Sequence, residues 1–149
     1  MRVGDGPAAR RDSSHMNEPE VNAEASAELL VSHADLASSL ASEDGDSYPP
    51  VFATSRMVAL MEVAASRVLR PLLGPGELSV GVTVDVAHTA ATPQGVRVTA
   101  TARYLGREGK LFVFEVVARD RGGEIGRGTH KRAIVSAERL LAGAERRGR

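Results

Sequence analysis

The chain has no cysteine and no tryptophan. Without thiols it can form neither a disulfide nor a thiolate metal site, and it has no cysteine nucleophile. That is compatible with a reducing cytoplasm and leaves any chemistry to oxygen and nitrogen. Neither sign of charge is in excess, since Lys+Arg and Asp+Glu both number 19. With no net charge and no basic stripe interleaved with aromatics, nucleic acid is not an expected partner. Apolar runs fall far short of the ~20 residues a membrane helix needs. Met1 to Arg11 lacks the apolar centre of an export signal, so the expectation is a soluble cytoplasmic protein off the membrane. The four histidines, His15, His33, His88 and His130, show no paired ligand spacing, and no metal is expected. Gly126 and Gly128 form a bare G-x-G without the rest of a nucleotide fingerprint, and no G-x-S-x-G elbow is present.

What is present fits one domain, for a chain of 149 residues buries roughly 70% of its unfolded surface. Residues 1–22 are rich in Gly, Pro, Ser and charge and read as a disordered tail, with the folded domain at 23–140 and a charged C-terminal tail at 141–149. Ala25 to Leu40 is ambiguous between strand and helix and is assigned to a strand; residues 42–50 (SEDGDSYPP) are a loop. TSRMVALMEVAASRVLRPLL is the clearest element, a helix with Thr54 or Ser55 as N-cap and Pro71 closing it. At 100° per residue Met57, Val58, Met61, Ala65, Val68, Leu69 and Leu72 form a broad apolar arc that Leu60 and Ala64 widen.

After the helix, SVGVTVDVAHTA alternates, so that Val80, Val82, Val84, Val86 and His88 share one face of a half-buried strand turned to the helix. GVRVTATARYL and KLFVFEVVARD form a hairpin about the turn GREG, and IGRGTHKRAIVSAERL supplies a last strand. The order predicts an α+β fold with one long helix laid against a single antiparallel sheet. One helix covers such a sheet poorly, and the apolar remainder predicts a dimer.

Three residues could carry chemistry. Glu62 sits at the margin of the helix's apolar arc, where a carboxylate partly withdrawn from water is suited to act as a base. By position alone it reads more simply as a solvated side chain near Arg70. His88 ends the valine row, where a neutral imidazole can orient a carboxylate or a water, although a hydrogen-bonded core histidine is the commoner case. Thr54 is explained by a capping role alone. If Thr54 lies within the helix, eight residues place it about 12 Å along the axis from Glu62, at roughly 1.5 Å per residue.

Taken together, FATSRMVALMEVAASRVLRPLLGPGELSVGVTVDVAHTAATPQGVRVTATA and EIGRGTHKRA resemble the fluoroacetyl-CoA thioesterase family of single-domain hotdog proteins, from about Tyr48 to Ile134. The more specific parts are Thr54 eight residues before Glu62, the strand ending VAHTAATP, and GTHKR near the end. The resemblance implies a hotdog fold, with the sheet wrapped around the long helix, a homodimer, and active sites near the dimer interface. It implies hydrolysis of a short-chain acyl-CoA to free acid and CoA without a cofactor, an acyl carrier protein being a further thioester donor left open. It matches Thr54, Glu62 and His88 to the family's catalytic residues, Gly81 to a strand glycine lining the acyl site, and Arg132 to an arginine beside it. Glu62 is then nucleophile or base, His88 the proton carrier, and Thr54 nucleophile or water-positioner. At the places of the family's lid phenylalanines stand Gly45 and Tyr48. A looser, more polar lid over the substrate implies a different acyl selectivity. A hotdog dehydratase would want a His and Asp pair at the helix entry, where no His stands. A non-catalytic acyl-CoA-binding or scaffold protein would need no such trio.

Overall fold

The computed structural model describes residues 18–149. Five strands, β1 (Glu24–Leu30), β2 (Glu77–His88), β3 (Arg97–Glu108), β4 (Leu111–Asp120) and β5 (Gly123–Ser136), form one antiparallel sheet in the order β1-β3-β4-β5-β2. The long helix α1 (Thr54–Leu69) lies against all five strands, and a second helix, α2 (Ala137–Arg147), follows β5. This is the expected hotdog arrangement. Among the described residues no helix is long and apolar enough to cross a membrane.

The core is the seam between α1 and the concave face of the sheet. Met57, Leu60, Met61, Ala64, Ala65, Val68 and Leu69 are the buried residues of α1, following the predicted arc. They meet Ala27 of β1, Val98, Ala100, Ala102 and Tyr104 of β3, and Phe112, Phe114, Val116 and Ala118 of β4. Alanines face each other where helix and sheet run closest, and the larger rings fill the space beside them. Each large apolar side chain buried here stabilises the fold by about 1.5 to 3 kcal/mol.

Several local expectations change in the fold. Ala25 to Leu40 is not one strand, because β1 ends at Leu30 and two 3-10 turns follow, His33–Asp35 and Ala37–Leu40. Ser32 and Asp35 cap the first turn reciprocally, and that local hydrogen bonding competes with a sheet ladder. The hairpin between β3 and β4 turns at Gly109 and Lys110 rather than across GREG, since Arg107 and Glu108 still pair with Phe112 and Leu111. Gly109 has φ +60°, the left-handed conformation such a tight turn demands. At the C-terminus, residues 137–147 form α2 rather than a tail, with the Ser136 hydroxyl accepting from the Arg139 amide as N-cap. Residues 1–17 of the expected N-terminal tail lie outside the described residues. The remainder of that segment is tied to β3, for Tyr104 donates its hydroxyl to Glu18 and the Asn22 amide donates to the Tyr104 carbonyl.

The largest revision concerns β2. A bulge between Gly81 and Thr83 shifts the register against β5, so that Val80 pairs with Ala133 whereas Val84 pairs with His130. Positions 133 and 130 lie on opposite faces of β5, so Val80 is turned away from α1 while Val84, Val86 and His88 face it. The strict valine row is therefore broken. β2 is also an edge strand, and Val82 and Val84 remain 50% and 43% exposed.

Candidate functional site

The entry to α1 is fixed by backbone hydrogen bonds. The Phe52 amide donates to the Thr92 carbonyl at 2.8 Å, and the Ala53 amide donates to the Asp35 carbonyl at 2.9 Å. Thr92 is itself buried and gives its hydroxyl to Asp120 at 2.8 Å. Ala53, not Thr54 or Ser55, occupies the N-cap position, with extended backbone and no side-chain cap. Thr54 is the first helical residue, so its hydroxyl is free of the capping duty foreseen for it. That hydroxyl lies 2.8 Å from Nδ1 of His88, the last residue of β2.

Two open cavities share Thr54 in their linings. One, of about 380 Å³, is lined by Pro49, Val51, Phe52, Thr54 and His88 among others. The second, of about 320 Å³, is bounded by Ala37, Leu40, Tyr48, Ala53, Thr54 and Ser55. Tyr48 lines the second cavity and is half exposed. The His88 Nε2 atom is buried and has no hydrogen-bond partner among the described residues. Burial lowers the His88 pKa below the usual imidazole value, partly opposed by the Ala90 carbonyl. The ring is therefore neutral near pH 7 and able to accept a proton.

Glu62 occupies the far side of the same helix. Its carboxylate Oε1 is 3.5 Å from Arg132 Nη1, and its side chain is 40% exposed while that of Arg132 is 7% exposed. This corrects the simpler reading of Glu62 beside Arg70, since its cationic neighbour comes from β5. A Cβ at Gly81 would collide with Glu62 Oε1 and would stand 3.2 Å from the His130 ring, so the carboxylate occupies space that only glycine leaves. Arg132 is anchored by Ser79, with Nε donating to its hydroxyl at 3.1 Å and Nη2 to its carbonyl at 2.9 Å. Arg132 Nη1 also lies 3.1 Å from Nε2 of the buried His130.

One chain thus brings Thr54 to His88, and Glu62 to Gly81 and Arg132, but it does not join the two groups. Both Thr54 and Glu62 lie inside α1, so the separation of about 12 Å applies. Among the described residues no hydrogen bond links Glu62 to either Thr54 or His88. Sequence reasoning passed over Ser79 and His130. His130 had a readable signal, because two residues before Arg132 on a strand it must share that arginine's face.

Comparison with known proteins gives the family and the fold. The fluoroacetyl-CoA-specific thioesterase family matches residues 31–138, most of the chain. The chain belongs to that family. Its activity class is accordingly thioester hydrolysis. A fluoroacetyl-CoA thioesterase of Streptantibioticus cattleyicolor is 48% identical over 95 residues, which cover 64% of this chain and 68% of that protein. A solved structure of the fluoroacetyl-CoA thioesterase FlK superposes with a TM-score of 0.79 at 39% identity, covering 85% of this chain and 95% of that one. A thioesterase superfamily member from Thermus thermophilus gives a TM-score of 0.78 at 30% identity, over 88% and 94% of the two chains.

Proposed function

We propose that this family member hydrolyses a short-chain acyl-CoA to free acid and CoA as a cytoplasmic homodimer, with Thr54 and His88 of one copy and Glu62 of the other meeting at each site. The observation that carries the reading is the Thr54–His88 hydrogen bond of 2.8 Å, with Thr54 lining two open clefts. A neutral His88 takes the proton of the Thr54 hydroxyl, or of a water that Thr54 holds, as the oxygen adds to the thioester carbonyl. Collapse of the tetrahedral adduct breaks the carbon–sulfur bond, and the departing CoA thiolate takes the proton back from His88; where Thr54 itself has attacked, a water then adds to the acyl ester and the Thr54 oxygen leaves with a proton, releasing the free acid. Glu62 supplies the second base or nucleophile, and Arg132, 3.5 Å away, holds the carboxylate in place.

The dimer is supported by β2. Its 12 residues form a sheet edge whose outward backbone groups are a template for pairing, and Val82 and Val84 are exposed along it. If two copies of β2 pair antiparallel about an axis at Asp85, the bulge at Val82 brings Gly81 of each opposite His88 of the partner subunit, on the same face of the sheet. Glu62 lies against Gly81, so this arrangement carries it toward the other copy's Thr54–His88 pair.

Selectivity follows from the lid. Gly45 has no side chain to close the cleft, and Tyr48 adds a hydroxyl at its rim. A short or polar acyl group suits that opening better than strict recognition of a fluorinated one. The test is release of free CoA thiol from a panel of short acyl-CoAs by the purified protein and by its His88→Ala variant. Turnover that disappears in the variant supports the reading and names the acyl preference. Tight binding of acyl-CoA without turnover in the parent protein would make it a binding module instead, and turnover confined to acyl carrier protein thioesters would change the carrier.

A further inference from the structure

His130 is the most buried titratable side chain near the site, 1% exposed, and the reaction outlined above does not use it. Its two ring nitrogens face different kinds of group. Nδ1 lies 2.8 Å from the Thr83 carbonyl, which can only accept, so that nitrogen carries the proton. Nε2 lies 3.1 Å from Arg132 Nη1, which can only donate, so that nitrogen presents its lone pair. The second hydrogen of Nη1 is then free for Glu62 Oε1, 3.5 Å away, while Nε and Nη2 are held by Ser79.

We propose that His130 is a positioning residue, which as a neutral imidazole protonated on Nδ1 receives one hydrogen of Arg132 Nη1 and so aims the other at Glu62. The inference rests on the reading of Glu62 as part of the reaction. A protonated ring would set an N–H and a second positive charge against the guanidinium at 3.1 Å, and the arginine would have to turn away. The groups around the ring agree with neutrality. Arg132 faces it from β5 and Glu62 from α1, with the Thr83 carbonyl and Gly81 on β2 and apolar Phe114 as its partner on β4. Lys131 is turned to the opposite face, where it pairs with Glu108 at 2.8 Å. Burial is the main influence lowering the His130 pKa and the Arg132 charge adds to it, while the Thr83 carbonyl and Glu62 oppose it.

Two substitutions separate orientation from bulk. His130→Asn keeps a donor for the Thr83 carbonyl but does not reach Arg132, whereas His130→Gln carries a carbonyl oxygen near the place of Nε2. The expected result is a fall in kcat of tenfold or more for the Asn variant with KM within threefold, and recovery of most of that loss in the Gln variant. Equal losses in the two variants, or no loss in either, would overturn the proposal. Nitrogen NMR of the unaltered protein at pH 6.5, where a free imidazole is half protonated, needs no variant to fold. A neutral ring protonated on Nδ1 is expected; a doubly protonated ring or the other tautomer refutes the proposal. Glu62→Gln distinguishes the levels of the argument. Near-normal turnover there removes Glu62 from the reaction, whereas a dead Gln variant beside an indifferent His130→Asn overturns only the role of His130.

Discussion

The two polar groups strung along α1 are built on opposite principles. At the start of the helix, Thr54 and His88 share one hydrogen bond beside open clefts, and His88 Nε2 is left buried without a partner among the described residues. Two turns further on, Arg132 engages Ser79 twice, His130 once and Glu62 once, in a setting from which it is almost entirely withdrawn from water. Buried polar atoms without partners are rare and costly, so among the described residues the first group is the less satisfied of the two. The second is more fully satisfied, with four of the arginine's five N–H donors engaged, one of them on the Glu62 carboxylate, which is how neighbouring groups hold a side chain in place.

The strongest way to break this contrast is His88→Ala. Loss of a proton carrier should lower kcat by about 10²- to 10⁴-fold. Because the ring makes one side-chain hydrogen bond, to Thr54, beside an open cleft, the melting temperature should fall only modestly. A large drop in stability with modest loss of rate would make His88 a structural residue. Mixing separately inactive His88→Ala and Glu62→Gln chains tests the division between copies. If each site takes His88 from one chain and Glu62 from the other, half of a random mixture is mixed dimer with one intact site, and about one quarter of the parent activity returns. No recovery after exchange of subunits would place both residues in one chain's site.

Gly81→Ala attacks the second group. Its new Cβ meets Glu62 Oε1, and the shift needed should cost about 1 to 3 kcal/mol in a denaturation experiment, with a reduced kcat. Unchanged stability and rate would show that Glu62 moves aside freely. A smaller effect is expected from pH. The pKa values of His88 and His130 are both lowered from 6.5 in the folded chain, chiefly by burial. Below about pH 6.5 the unfolded chain therefore binds protons that the folded chain refuses. Stability should fall as the pH drops from there, level off below the folded-state values, and show no such contribution above pH 6.5. The acid limb of kcat/KM should likewise lie below 6.5, and a limb above it would contradict a depressed His88. Smallest of all is the expected discrimination between fluoroacetyl-CoA and acetyl-CoA, on the evidence of Gly45 and Tyr48 at the lid; a large preference in kcat/KM would refute it.

Much of this was legible in the chain itself. The apolar arc from Met57 to Leu69 is periodic over four turns and was read nearly residue for residue, because burial against a sheet demands that period. Strand alternation in β3 and β4 was equally plain, and the motifs around Thr54, Glu62 and His88 pointed to the family that the comparisons establish. Less legible was β2, where one extra residue at the bulge turns Val80 to the other face while leaving the sequence alternation intact. The capping assignment failed for a related reason. A threonine at a helix start resembles a cap in sequence, yet the hydrogen bonds that the Phe52 and Ala53 amides donate to the Thr92 and Asp35 carbonyls set the entry one residue earlier and leave the Thr54 hydroxyl to His88.

Residue types and their local period thus determined the long helix and the antiparallel hairpin, since each depends on neighbours a few positions apart, whereas the thioesterase family was legible only as a resemblance of motifs spread from Tyr48 to Ile134. Tertiary structure alone decided that His130 and Ser79 support Arg132, that Arg132 rather than Arg70 meets Glu62, and that Glu62 stands apart from Thr54 and His88. Those contacts join residues 34 to 70 positions apart, or they turn on strand register. A single-residue shift in register reverses which face a side chain presents, and no local pattern records it.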